Sequence, residues 1–180
     1  MRIIAGELKG RRLKTPEWDG LRPTSDKLRE TLFNVVAKRV AGARVLDFYA
    51  GTGAVGIEAL SRGARHVTFV DNDARAAKLI AENLRHCGVQ DRYAIIRAPQ
   101  SLPAESFELA VLDPPYDVPD LTASIAAAEP LMAPGGLLVL EHARRRQVPD
   151  HVGRLRKTRD LISGDSALAF YSASAGADQT

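Results

Sequence analysis

An aspartate, two prolines and a tyrosine, Asp113-Pro114-Pro115-Tyr116, follow the apolar run Leu109-Ala110-Val111-Leu112, and in that order they can handle an exocyclic amino group. The nitrogen of such a group on a base or an amide is a poor nucleophile, because its lone pair is delocalised. Two acceptors drawing on its hydrogens oppose that delocalisation. The Asp113 carboxylate and the Pro114 carbonyl can supply them; the proline rings hold that carbonyl inward, and neither proline brings an N–H that would compete. Tyr116 adds a flat face on which a planar substrate can stack. Taken alone, the tetrapeptide also fits a proline-rich turn that closes a strand with its tyrosine packed on the core, so its surroundings decide.

A second constellation lies upstream. Asp47-Phe48-Tyr49-Ala50-Gly51-Thr52-Gly53-Ala54-Val55-Gly56 contains a full G-x-G-x-x-G, and Asp71 stands twenty residues beyond Gly51. A dinucleotide fold places a ribose-binding acid at that distance, which makes a nicotinamide or flavin enzyme the rival reading. Two features favour S-adenosylmethionine instead. Asp47, four residues before Gly51, can bind an amino-acid ammonium through charge-assisted hydrogen bonds, where a pyrophosphate would be repelled. The amine clamp at Asp113 is the second, since hydride transfer has no use for it. In this reading the glycines let backbone approach the cofactor closely and Asp71 bonds the ribose hydroxyls.

These groups need a frame that brings them together. From residue 44 onward, short apolar runs alternate with helical stretches, the βαβ signature of a parallel sheet. Strands are expected at 44–48, 66–71, 92–97, 107–113 and 136–141, and helices at 55–62, 73–86 and 121–128, the first two stopped by Gly63 and Gly88. Pro134-Gly135-Gly136 is read as the turn into the fifth strand, and 154–159 with 167–172 as an antiparallel hairpin about Gly164-Asp165. An α/β sheet of this kind binds ligands at the carboxyl ends of its strands near the switch point, and strands one and four would flank it. Residues 1–43 differ: two apolar pieces around Gly6 and Gly10 suggest a small hairpin, and Pro23 with Thr24, Ser25 or Asp26 as cap opens a helix carrying Leu28, Leu32, Val35 and Val36 on one face. We read 1–43 as a docked extension, 44–172 as the catalytic domain and 173–180 as a frayed tail.

At 180 residues, 45% hydrophobic and 26% charged, the chain suits one soluble domain. It has no apolar stretch near the roughly 20 residues of a membrane helix, and no secretion signal is read at its first residues. A single cysteine, Cys87, allows no internal disulfide and makes the cytoplasm the default. The four histidines show no ligand spacing, so no metal is expected. A net charge of +3 conceals segregation: +6 over residues 1–44, −6 over 45–143 and +6 over 144–159. That pattern suggests a polyanion gripped by the flanks, by Arg2, Lys9, Arg11, Arg12 and Lys14 at one end and by Arg144-Arg145-Arg146 and 154–159 at the other.

With these residues on the page, the chain resembles the RsmD family of class I S-adenosylmethionine-dependent methyltransferases, which act on the exocyclic N2 of a guanine in 16S ribosomal RNA. The matching residues include Arg2-Ile3-Ile4-Ala5-Gly6, Gly10-Arg11, Leu21-Arg22-Pro23-Thr24, Arg29-Glu30-Thr31-Leu32-Phe33-Asn34, Phe48 to Gly56, Glu58-Ala59-Leu60-Ser61-Arg62, Asp113 to Tyr116 and Gly164-Asp165-Ser166. The resemblance implies a Rossmann-like, seven-stranded, mostly parallel sheet with its last strand antiparallel, preceded by the hairpin and helix. It implies that Asp47, Ala50, Gly51, Thr52, Gly53, Asp71, Asn72 and Ala98 surround the cofactor. Asp113, Pro114, Pro115 and Tyr116 would hold the guanine; Arg22 and Arg29 would join the amino-terminal cations on RNA. Where relatives carry an Asp or an Asn-containing turn after strand three, this chain has Arg97-Ala98-Pro99-Gln100, leaving the adenine to backbone, Gln100 or Ser101. The expected partner is 16S ribosomal RNA or a small-subunit assembly particle, bound by a monomer. The alternative is a DNA adenine-N6 methyltransferase, which would use the same clamp.

Overall fold

The structure, a computed structural model, describes residues 1–16, 18 and 25–174. The cofactor-loop and clamp residues all fall within it; Arg22 with its neighbours Leu21, Pro23 and Thr24, and residues 175–180 of the expected tail, lie outside the described residues. Among the described residues four α-helices and eight strands follow one another as α1 (Asp26–Val40), β1 (Arg44–Phe48), α2 (Ala54–Ser61), β2 (His66–Val70), α3 (Ala74–His86), β3 (Tyr93–Ile96), β4 (Phe107–Leu112), α4 (Leu121–Ala128), β5 (Met132–Ala143), β6 (His151–Val152), β7 (Leu155–Ser163) and β8 (Ser166–Ala173). They form one sheet in the order β3-β2-β1-β4-β5-β8-β7-β6. Strands β1 to β5 pair in parallel, whereas β8 runs antiparallel to β5 and carries β7 and β6 outward from it.

Alternation along the strands builds two cores. Val45, Val67, Phe69, Leu109, Val111 and Val139 pack with α1, α2 and α3 on one face; Leu46, Phe48, Ala110, Leu112, Leu138 and Leu140 pack with α4 on the other. Strands covered on both faces read as near-continuous apolar runs, which is why β1 and β4 were legible. Local signals set the helix ends. Ser25 caps α1, its hydroxyl accepting from Leu28 N at 3.1 Å, and Asp73 caps α3 by accepting from Arg75 N at 2.8 Å.

Two differences from the expectation have local causes. The antiparallel end holds one more strand, the two-residue β6, too short to leave an alternation pattern. Pro134-Gly135-Gly136 does not precede the fifth strand but lies inside it: β5 starts at Met132, and the register with β4 jumps from Phe107↔Met132 to Leu109↔Leu137. The glycines serve this bulge, Gly135 at φ +72° and Gly136 where an added Cβ would lie 2.8 Å from Ala133 O.

The amino-terminal segment is sewn to α2. It has the single bridge Arg2↔Arg12 of a hairpin, and Ile3, Leu8 and Leu13 are buried in the same core as the sheet. Its amides are satisfied from the helix: Ile4 N and Ala5 N donate to the Glu58 carboxylate at 2.8 and 3.0 Å, Glu7 N to Ser61 O at 2.8 Å, and Leu8 N to Ser61 Oγ at 2.9 Å. The approach is so close at Gly6 that a Cβ would lie 1.9 Å from Ser61 O. Glu58 is fully buried and is paired with Arg62 at 2.7 Å and with the equally buried Arg29 at 3.8 Å.

Candidate active site

Strand order reverses between β1 and β4, so their carboxyl ends open a crevice. The register pairs Asp47 with Val111, and Asp113 lies two residues beyond, on the same face as Asp47 by strand alternation. Asp113 N donates to Phe48 O at 3.3 Å, which holds the start of the clamp beside β1. A cleft of about 610 Å³ spans both halves, lined by Asp47, Ala50, Gly51, Thr52, Asp71 and Asn72 on one side and by Asp113, Pro114, Pro115 and Tyr116 on the other.

The loop after β1 leaves the sheet abruptly. Tyr49 takes φ +68°, a left-handed conformation uncommon for a non-glycine residue, and the amides of Tyr49 and Ala50 both donate to Val70 O, at 2.9 and 3.0 Å. Tyr49 Oη donates to Ser124 Oγ of α4 at 2.9 Å. Gly51 N donates to Asp71 Oδ2 at 2.9 Å, and Asp73 N to Asp71 Oδ1 at 3.0 Å, so Asp71 fixes the glycine loop while each oxygen keeps capacity to accept a further hydrogen bond. From α3, the buried Asn83 donates to Thr52 O at 2.9 Å and accepts from Lys14 N at 2.8 Å, joining the amino-terminal segment to the glycine loop. Gly56 serves packing: an added Cβ would meet Phe69 Cε1 at 2.2 Å.

Asp47 is almost fully buried and accepts from Gly56 N at 2.8 Å. Burial pushes its carboxyl up from 3.8 to about 8; the Gly56 hydrogen bond opposes that rise, and the charges of Asp113 and Asp71 add to it. The group therefore suits a cationic ligand, which would restore the carboxylate. Its effect on stability follows from linkage. Across the window from 3.8 to about 8 the folded chain keeps a proton that the unfolded chain releases, so stability present at low pH is lost as pH rises through that window, by at most about 1.4 kcal/mol per pH unit. Asp47→Asn should flatten this decline, and the difference between the two proteins' denaturation midpoints from about pH 5 to about pH 8 measures it.

Other sequence-predicted residues fall elsewhere. Ala98 is exposed and outside the cleft lining, two residues past the edge strand β3 and before a short 3-10 turn, Pro99–Ser101. Arg29 is a correction: it is fully buried, donating to Arg2 O and to Asp26 Oδ1 at 3.0 Å, and burial lowers its pKa, so it locks the fold and offers nothing to a phosphate. Arg154 is held by Glu129 at 2.8 Å and Glu105 at 3.1 Å, and Arg146 by backbone carbonyls. Lys14 pairs with Glu82 at 3.1 Å and Arg11 donates to Cys87 O, whereas Arg2, Lys9 and Arg12 are exposed with no ion pair among the described residues.

The sequence reading passed over several lining residues. Glu141 of β5 and Ser166 of β8 reach the clamp side of the cleft, and Trp18 with Arg75, whose guanidinium lies 5.1 Å from the indole centroid, reaches the cofactor side. Trp18 is the chain's one tryptophan, and Ser166 belongs to the matched run Gly164-Asp165-Ser166, both signals available beforehand; Glu141 carried none, because only the sheet order brings its strand here. Among the described residues no helix is long and apolar enough to cross a membrane, and no three His, Cys, Asp or Glu side chains are grouped to hold a metal ion.

Comparison with known proteins agrees with this geometry. The family described as "Conserved hypothetical protein 95" matches residues 1–172. YlbH of Bacillus subtilis (strain 168) is 37% identical over 180 residues, covering 95% of this chain and 98% of YlbH. Ribosomal RNA small subunit methyltransferase D of Escherichia coli (strain K12) is 30% identical over 176 residues, covering 95% and 89% of the two chains. Among solved structures, yhhF from Escherichia coli superposes with a TM-score of 0.84 at 30% identity, over 97% of this chain and 98% of its own. With the sheet, the glycine loop and the clamp in place and a match running from residue 1 to residue 172, the chain belongs to the RsmD family of class I methyltransferases.

Proposed function

We propose that this enzyme transfers a methyl group from S-adenosylmethionine to the exocyclic N2 of a guanine in small-subunit ribosomal RNA, as a monomer in the cytoplasm. The observation that carries this reading is the position of Asp113-Pro114-Pro115-Tyr116 across one cleft from the glycine loop, at the reversal of strand order. The donor set fits the cofactor: Asp47, protonated for want of a cation, would hold the amino-acid ammonium, and Asp71 the ribose hydroxyls, while a pyrophosphate would enter a cleft lined by six carboxyl groups. Below about pH 8, binding should release the Asp47 proton, so affinity rises with pH up to that point.

S-adenosylmethionine supplies an electrophilic methyl on a sulfonium. The protein's part is to present the amine. The target guanine leaves its stack and enters the cleft, where the Tyr116 ring packs on it. Asp113 and the Pro114 carbonyl accept from N2, turning its lone pair toward the methyl, and their hydrogen bonds strengthen as N2 gains positive charge. Holding two reactants in line is worth on the order of 7 kcal/mol or more. Arg2, Lys9 and Arg12, exposed on the amino-terminal segment, position RNA through phosphates without reading sequence.

The test offers labelled S-adenosylmethionine with naked 16S ribosomal RNA, small-subunit particles, duplex DNA and protein, and identifies the product nucleoside or residue. N2-methylguanosine in ribosomal RNA is expected. Label in DNA adenine, or none in any RNA, would overturn the proposal.

A further inference from the structure

The loop that carries the clamp is poor in backbone donors. Pro114, Pro115 and Pro119 bring no backbone donor, and within the stretch Val118 N donates to Pro115 O at 3.0 Å. Its carbonyls are met from outside. Arg146 Nη1 donates to Val118 O at 2.6 Å and to Tyr116 O at 3.3 Å, and Nη2 donates to Pro119 O at 3.2 Å. The Tyr116 hydroxyl shares a hydrogen bond of 2.6 Å with Ser166 Oγ. Both partners come from the antiparallel end of the sheet. Arg146 sits in the turn after β5, its amide donating to Ala143 O at 2.9 Å, and the neighbouring Arg144 N donates to Asp165 O at 2.8 Å, beside Ser166 at the start of β8.

We infer that Arg146, with Ser166, is a positioning residue for methyl transfer: its guanidinium fork turns the carbonyls of Tyr116, Val118 and Pro119 away from the cleft and fixes the Tyr116 platform, leaving the Pro114 carbonyl to face the substrate amine. A planar guanidinium suits this, since its donors lie in one plane and reach several carbonyls at once; an ammonium cannot match that geometry. As one of the basic run Arg144-Arg145-Arg146, Arg146 could instead grip a phosphate, a role that would act on RNA affinity. The positioning role acts on the chemical step.

This inference rests on the proposed methyl transfer to ribosomal RNA, and its test keeps the two apart. Single-turnover and steady-state kinetics on that RNA are run for wild type, Arg146→Met, Arg146→Lys and Ser166→Ala, with cofactor affinity and thermal midpoint measured on each. Arg146→Met keeps the apolar stem and should lower kcat by about 10- to 100-fold, the scale of a misplacement near 1 Å, with KM for RNA and affinity for S-adenosylmethionine within about twofold. Arg146→Lys should recover part of the loss, and Ser166→Ala should lower kcat several-fold. A rise in KM and a changed salt dependence at unchanged kcat would make Arg146 a phosphate ligand and overturn the inference. So would a kcat within about twofold of wild type in Arg146→Met or, if that variant does not fold, in Ser166→Ala. A wild-type enzyme that leaves ribosomal RNA unmethylated would instead defeat the functional proposal.

Discussion

Asp113→Ala should lower methyl transfer by about 10²- to 10³-fold, the cost of removing one preorganised polar group aimed at developing charge, while S-adenosylmethionine binds as well as before or better. The second half of that expectation is the more diagnostic. Asp113 is one of the two carboxylates whose charge raises the Asp47 pKa; without it Asp47 ionises more readily and meets an ammonium at a lower cost. Asp113→Asn keeps one acceptor and the shape of the turn, so it should fall between the two. Isothermal titration with the cofactor and single-turnover transfer to RNA check both halves. A variant that transfers at the normal rate, or that loses cofactor affinity in step with activity, would mean that Asp113 does not hold the amine.

Glu58→Gln should destabilise the fold by about 3–5 kcal/mol, the usual consequence of stripping one partner from a buried ion pair, out of a total stability of about 5–15 kcal/mol. The carboxylate carries two amide hydrogen bonds, the pair with Arg62 at 2.7 Å and the charge opposite buried Arg29. A neutral amide retains one acceptor and brings two donors that face other donors. Denaturant midpoints of Glu58→Gln, Arg29→Met and the double variant give the coupling between the pair; the double variant should recover part of the loss, because the fully buried Arg29 charge is gone while Arg62, nearer the surface, still lacks its carboxylate. For the same reason RNA affinity is better probed by single substitutions at exposed Arg2, Lys9 and Arg12 than by removing the segment that carries them.

The parallel half of the fold was legible because its strands are buried on both faces and end on chemistry. β1 and α4 fall where apolar runs and punctuation put them, and β4 ends one residue short of the expected limit, where Asp113 turns toward the cleft. The glycine loop and the clamp were legible as two motifs, and strand order brought them to one cleft. Less could be read where meaning depends on partners. Arg29, Arg146 and Arg154 counted as cations in the sequence, yet one is buried, one grips carbonyls and one is held by two glutamates. Glu58 stood in the sequence only as part of the matched run Glu58-Ala59-Leu60-Ser61-Arg62, with no role attached, and is the anchor of the amino-terminal segment. A charge in a sequence has a sign but no neighbour, and its role depends on the neighbour.

The stitching of that segment to α2 and α3 also sets an order in time. Ile4, Ala5 and Leu8 donate to side chains 54, 53 and 53 residues further along, and Lys14 to one 69 residues further along. During synthesis at about 5–20 residues per second these amides wait on the order of 3 to 14 s, in water, for partners not yet made. Arg29 waits likewise for Glu58. The amino-terminal amides thus stay unpaired until α2 and α3 arrive, and then close by long-range contacts of the kind that fold slowly. Hydrated cations at Arg2, Lys9 and Arg12 suit a segment that must stay soluble and unpaired until then.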